Sequence, residues 1–152
     1  MSSASINLAK AAPIIVDANM VVAGIMKGRL PEGSQVKCFL QDDDVPALSK
    51  SLATTRSASA VELWRPYLEG AIVSIGNAPT ALFHLIDMLD DVSCPRPSVI
   101  LGFPVGFVGA AESKAYLMKK ISDIPYITLK GRIGGSALAA AAVNAILLDD
   151  VA

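Results

Sequence analysis

Short, nearly unbroken apolar runs alternate along the chain with longer segments in which apolar residues recur every three or four positions. Five short runs predict strands: PIIVD (13–17), QVKCFL (35–40), AIVSIG (71–76), SVILGFP (98–104) and PYITLKG (125–131). Their lack of strict alternation is expected of strands covered on both faces of a parallel sheet. Helices are predicted from about Ala18 to Lys27, where Asp17 offers a cap, and over 56–68, 78–91, 111–121 and 134–150. In the 78–91 segment Leu82, Leu85, Ile86 and Leu89 share one helical face. Pro79 suits its first turn, where a missing N–H costs nothing. QDDDVPALS (41–49) reads as a solvated loop leading into a helix start, where acids suit the dipole. The first nine or ten residues read as the tail of a helix.

The strand–helix rhythm implies right-handed crossovers. It predicts an α/β fold: a single three-layer, doubly wound domain over residues 1–152, with a mainly parallel five-stranded sheet. No repeat or linker divides the chain.

Composition sharpens this picture in three ways. Aromatics make up only 5 % of the 152 residues, so the core must be built from Val, Ile, Leu and Ala. Charged residues are 18 % of the chain, below the usual quarter, which predicts that some apolar surface is buried against another subunit. The net charge of −1 offers no basic footprint for nucleic acid. No apolar run reaches the length of a membrane span, and MSSASINLAK has neither the basic nor the apolar region of a signal peptide. Cys38 and Cys94 lack both metal and redox spacing. A cytoplasmic protein is expected.

In an open parallel sheet, ligands bind beyond the carboxyl ends of the strands. The loops there are Asp17, then Gly76-Asn77-Ala78-Pro79-Thr80, then GFPVGFVGAAESK (102–114), then KGRIGGS (130–136). Glycine admits a ligand to the main chain, and free N–H groups at helix starts attract anions. Arg56, Lys114 and Arg132 add guanidinium and ammonium donors. Together these predict an anionic ligand bearing carboxylate or phosphate groups. Taken singly, any of these glycines serves as a turn residue, and Arg56 and Lys114 read as surface charges. GRIGGS matches neither a dinucleotide nor a Walker loop. His84, the single histidine, sits mid-helix off the leucine face and reads as a surface or interface residue. Trp64 reads as core or interface packing. Asp42, Asp43 and Asp44 cluster without a second ligand group, so no metal site is assigned.

Six stretches go beyond class-level inference: APIIVDANMVVAGI, GRLPEGSQVKCFL, TTRSASAVELW, GNAPTALFHL, GFPVGFVGAAESK and GRIGGSALAAAAVNA. Together they closely resemble the precorrin-8X methylmutase (precorrin isomerase) family and its cobalt-precorrin-8 counterpart, over essentially the whole chain. The resemblance implies an α/β homodimeric isomerase of cobalamin biosynthesis with no separate cofactor. Its reaction moves a methyl group from C-11 to C-12 of precorrin-8X and gives hydrogenobyrinic acid. The implied ligand is a flat corrinoid fringed with carboxylate arms, in agreement with the anionic ligand read from the strand ends. By position in the family motifs, Arg56 is implied to contact substrate. Ser57, Asn77, Thr80, Ser113, Lys114, Arg132, Gly135 and Ser136 are further substrate-binding candidates.

Family members also carry an N-terminal segment whose histidine is thought to protonate the macrocycle. That segment has no counterpart in this sequence, and His84 does not align with it. The domain is thus expected to be N-terminally short, with no catalytic residue assigned. The alternatives are a corrinoid-binding module impaired in catalysis, or a fragment of the enzyme that folds without preserving its site.

Overall fold

The computed structural model describes residues 11–149; the predicted N-terminal helix tail lies outside them. In chain order the elements are β1 (Ile14–Val16), α1 (Asn19–Gly24), β2 (Val36–Cys38), α2 (Val45–Leu52), α3 (Arg56–Glu62), β3 (Ile72–Ile75), α4 (Pro79–Met88), β4 (Val99–Gly102), α5 (Ala110–Lys120), β5 (Tyr126–Thr128) and α6 (Ser136–Asp149). Single 3₁₀ turns at Lys27–Arg29 and Arg65–Tyr67 complete the path. All five predicted strands form, each shortened at its ends.

The strands pair in the order β2-β1-β3-β4-β5, and every pairing is parallel. The chain therefore moves one way from β1 to β2 and the other way from β3 onward. Helices α3, α4 and α5 cover one face, where Ile15, Val73, Ile75 and Ile100 meet Val61, Trp64, Leu82, Leu85, Ile86 and Leu117. Helices α1 and α6 cover the other, where Ile14, Val16, Ile72, Val99 and Leu101 meet Val21, Ala139, Ala140, Val143 and Leu147. Successive strand residues feed opposite cores, which is why the runs show no polar alternation.

Local chemistry explains the helix limits. Pro79 opens α4, and Leu82, Leu85 and Ile86 are fully buried, each contributing about 1.5–3 kcal/mol of transfer free energy. The QDDD segment does lead into a helix: Asp42 Oδ1 accepts from the Asp44 amide, and α2 begins one residue later. Asn144 interrupts the Ala-rich run of α6 for a reason. Its Oδ1 accepts from the Met26 N–H at 2.8 Å and its Nδ2 donates to the Gly24 carbonyl at 2.9 Å. One side chain thus satisfies backbone groups at the end of α1.

Candidate active site

The reversal of strand order puts a crevice between the carboxyl ends of β1 and β3, the usual ligand position in such sheets. Here the chain fills part of it with its own carboxylate. Asp17 does not cap α1: Ala18 is the N-cap and no side chain bonds there. Instead Asp17 Oδ1 accepts from the Gly76 N–H at 2.8 Å, and Oδ2 accepts from Asn77 and Ala78 at 3.0 and 2.8 Å. The main-chain donors that lead into α4, expected to be open to an anion, are taken. Burial pushes the Asp17 carboxyl above its ordinary value, against the pull of the three donors. An acid ending an apolar strand, opposite a glycine-led turn, was the available signal for this clasp.

A continuous network ties the remaining strand-end loops together. The Val105 N–H donates to the Asn77 carbonyl, the Phe103 N–H to Ile75, and the Gly135 N–H to Phe103 at 2.8 Å. Gly134 sits so tightly on this turn that a Cβ would collide with the carbonyl oxygens of Phe103 and Pro104. Gly76 is equally confined, because a Cβ there would lie 2.8 Å from the Ser136 Cα. Thr55 and Thr80 share a hydroxyl–hydroxyl bond of 2.9 Å, and Thr55 Oγ1 accepts from the Ala58 amide. That pair brings the start of α3, with Arg56 and Ser57, beside the start of α4.

The rim so formed contains most of the residues expected from sequence. Arg56, Asn77, Thr80 and Arg132 are exposed on it, and Ser57, Gly135 and Ser136 are half-buried. The Arg132 guanidinium lies 5.5 Å from the centroid of the Phe107 ring, within cation–π range. Phe107, Val108 and Ile133 are 83 %, 90 % and 69 % exposed, so the rim is apolar as well as cationic. The first-turn amides of α5 and α6 have no intrahelical acceptor and face this end of the sheet.

Two candidates lie beneath the rim. Ser113 is fully buried, its hydroxyl donating to the Ala110 carbonyl at 3.0 Å. Lys114 is fully buried too, contrary to its reading as a surface charge. Its Nζ donates to the Gly131 carbonyl at 3.0 Å and to the Ile133 carbonyl. Desolvation lowers its pKa. Ala110, Ser113, Lys114 and Leu117 are the buried residues of α5, and their helical spacing already placed the lysine on the core side.

His84 stands apart, one and a half turns into α4, with Nε2 2.6 Å from Glu62 Oε1. Trp64 is core, its indole N–H buried without an acceptor. Among the described residues no cluster of His, Cys, Asp and Glu could hold a metal, and no helix is long and apolar enough to cross a membrane. A cavity of about 390 Å³ between α2 and α3 shares no residue with the rim.

Residues 1–148 match the family model described as precorrin-8X methylmutase. The chain belongs to the precorrin-8X methylmutase family. It is 57 % identical over 139 residues to the precorrin-8X methylmutase of Pseudomonas aeruginosa, covering 91 % of this chain and 66 % of that protein. It is 41 % identical over 134 residues to the cobalt-precorrin-8 methylmutase of Priestia megaterium, covering 88 % of this chain and 58 % of the relative. The chain therefore spans about two thirds or less of the length of these relatives. A solved structure titled precorrin-8X methylmutase related protein superposes with a TM-score of 0.87 at 33 % identity, covering 97 % of this chain and 76 % of that one. The family model, the curated relatives and the solved structure agree on the family.

Proposed function

We propose that this chain binds precorrin-8X at the strand-end rim and isomerises it to hydrogenobyrinic acid. The carbon–carbon bond between the methyl group and C-11 breaks, one to C-12 forms, and no external group or cofactor enters. Such a rearrangement asks two things of a protein: a fixed geometry for the macrocycle, and a proton lent to it as the methyl migrates and taken back afterwards, so that the product remains an isomer. Holding a reactant in a near-attack geometry is worth up to about 7–11 kcal/mol. A general acid adds about 10²–10⁴-fold.

The observation that carries this reading is the convergence, at one end of the sheet, of two exposed guanidiniums with an uncovered apolar surface. Arg56 and Arg132 suit carboxylate arms. Ser57, Asn77, Thr80, Gly135 and Ser136 supply neutral polar contacts, while Phe107, Val108 and Ile133 take the flat ring. Lys114 supports the rim from below, while the Ser113 hydroxyl stays within α5. The outer side of α6, uncharged before Asp149, suits a homodimer. The setting is the cytoplasm.

A second reading, a corrinoid-binding module that does not turn substrate over, is favoured by one observation. The single histidine is engaged by Glu62 on the flank of α4 instead of facing the rim. Incubation with precorrin-8X, followed by visible spectroscopy, separates the two. Conversion supports the isomerase, and saturable binding of hydrogenobyrinic acid without conversion supports the module. Absence of both rejects the site.

A further inference from the structure

Lys114 is the only fully buried cationic side chain among the described residues, and no carboxylate pairs with it there. Taking an ammonium out of water without a counter-ion is expensive, so its two acceptors must matter. They are the carbonyls of Gly131 and Ile133, the residues on either side of Arg132. A lysine from α5 thus fastens both peptide flanks of a turn that follows β5. Beyond that turn, Gly134 is wedged against the carbonyls of Phe103 and Pro104, and Gly135 donates to Phe103. The segment is anchored at both ends, and the guanidinium between the anchors rests over the Phe107 ring.

We infer that Lys114 is a positioning residue: it holds the Gly131–Ile133 turn, and through it the Arg132 guanidinium, in the pose that receives a carboxylate arm of the ligand. This rests on reading the rim as a corrinoid site. It assigns Lys114 a task different from ligand contact. An ammonium has three donors and the turn takes two, each charge-assisted. A methionine of similar length fills the channel but offers no donor, and both carbonyls lose their partner. Arginine keeps charge and donors, but in a longer planar fork that cannot reproduce both bonds.

The test uses the full chain and two independent readouts. Amide hydrogen exchange without ligand reports the turn itself. In Lys114→Met, exchange of the Gly135 amide, which donates to Phe103 at the end of the turn, rises by about tenfold or more while 71–76 and 98–102 keep their protection. Lys114→Arg gives an intermediate rise. Hydrogenobyrinic acid titration reports the consequence: Lys114→Met weakens binding about tenfold, but adds less than about twofold once Arg132→Ala is present, because both changes remove the same interaction.

Unchanged protection of the Gly135 amide in folded Lys114→Met overturns the inference. So do additive losses in the cycle, which assign Lys114 to the ligand directly. If Lys114→Met does not fold, Lys114→Arg decides: raised exchange confined to the turn supports positioning, and wild-type protection overturns it. If the unaltered protein does not bind the corrinoid, the proposed function falls, while the exchange result still decides what Lys114 holds.

Discussion

Asp17 and Lys114 are both buried, both ionisable, and both partnered by main chain instead of by an opposite charge. Their effects on the rim differ. Asp17 gathers three N–H groups that follow β3 and fills part of the crevice between β1 and β3. Lys114 gathers two carbonyls from the turn after β5, and the arginine between them stays exposed. One buried charge seals a helix start; the other presents a cation. The strand-end rule locates the crevice, but the chain's own groups decide which part of it stays open to a ligand.

Removing the seal should be the most damaging change. Asp17→Ala leaves three donors without their acceptor and is expected to cost about 3–5 kcal/mol, read from urea unfolding. Asp17→Asn keeps one acceptor oxygen but turns an amide N–H₂ toward other donors, and should cost about 1–3 kcal/mol. Equal stability of Asp17→Ala and the unaltered chain would show that Asp17 does not hold the start of α4.

Next comes the tight turn. Gly134→Ala drives a methyl into the carbonyls of Phe103 and Pro104, with an expected cost of about 1–3 kcal/mol. Corrinoid affinity should fall further than stability alone explains, because Arg132 and Gly135 move with the turn. On the open side, Arg56→Ala should change stability by no more than about 0.5 kcal/mol. It should also weaken hydrogenobyrinic acid binding by about tenfold or more, as loss of a charge-assisted bond does. A large stability loss without an affinity loss would make Arg56 structural.

The smallest effect is in the acid limb of stability. Burial raises the Asp17 pKa from 3.8, so the native chain holds that proton longer than the unfolded chain. Its contribution therefore declines as pH climbs from about 3.8 through the raised value, and Asp17→Asn removes that decline. Asp91 has the opposite sign: the Ser93 hydroxyl and amide, with Arg65, hold it below 3.8. Its contribution is present above that value and is lost as pH falls through the lowered one. Unfolding curves at several acidic pH values, run on Asp17→Asn and Asp91→Asn, should show changes of opposite direction.

Much of this was legible in the chain. Pro79, the leucine face of α4 and the five unalternating runs sufficed for the doubly wound sheet, since each is a local signal. The sequence motifs likewise picked out residues that the fold gathers on one rim. The two buried charges escape local sequence signals for different reasons. Asp17 stands before a helix and fits a capping rule, yet its donors lie 59–61 residues away, where local reasoning has no purchase. Lys114 reads from sequence as a surface cation when taken alone, because lysine usually is one, and as a ligand contact from its motif. Its spacing from Ala110 and Leu117 pointed inward, and the composition prior outweighed the period.

The proposed function requires the rim to hold a corrinoid by its carboxylate fringe. Titrating the protein with hydrogenobyrinic acid at low and high salt, alongside the Arg56→Ala/Arg132→Ala double variant, tests this most directly. The predicted result is saturable binding by the unaltered chain that weakens with salt and is lost in the double variant. No binding by the folded protein, or equal binding by the folded double variant, would contradict it.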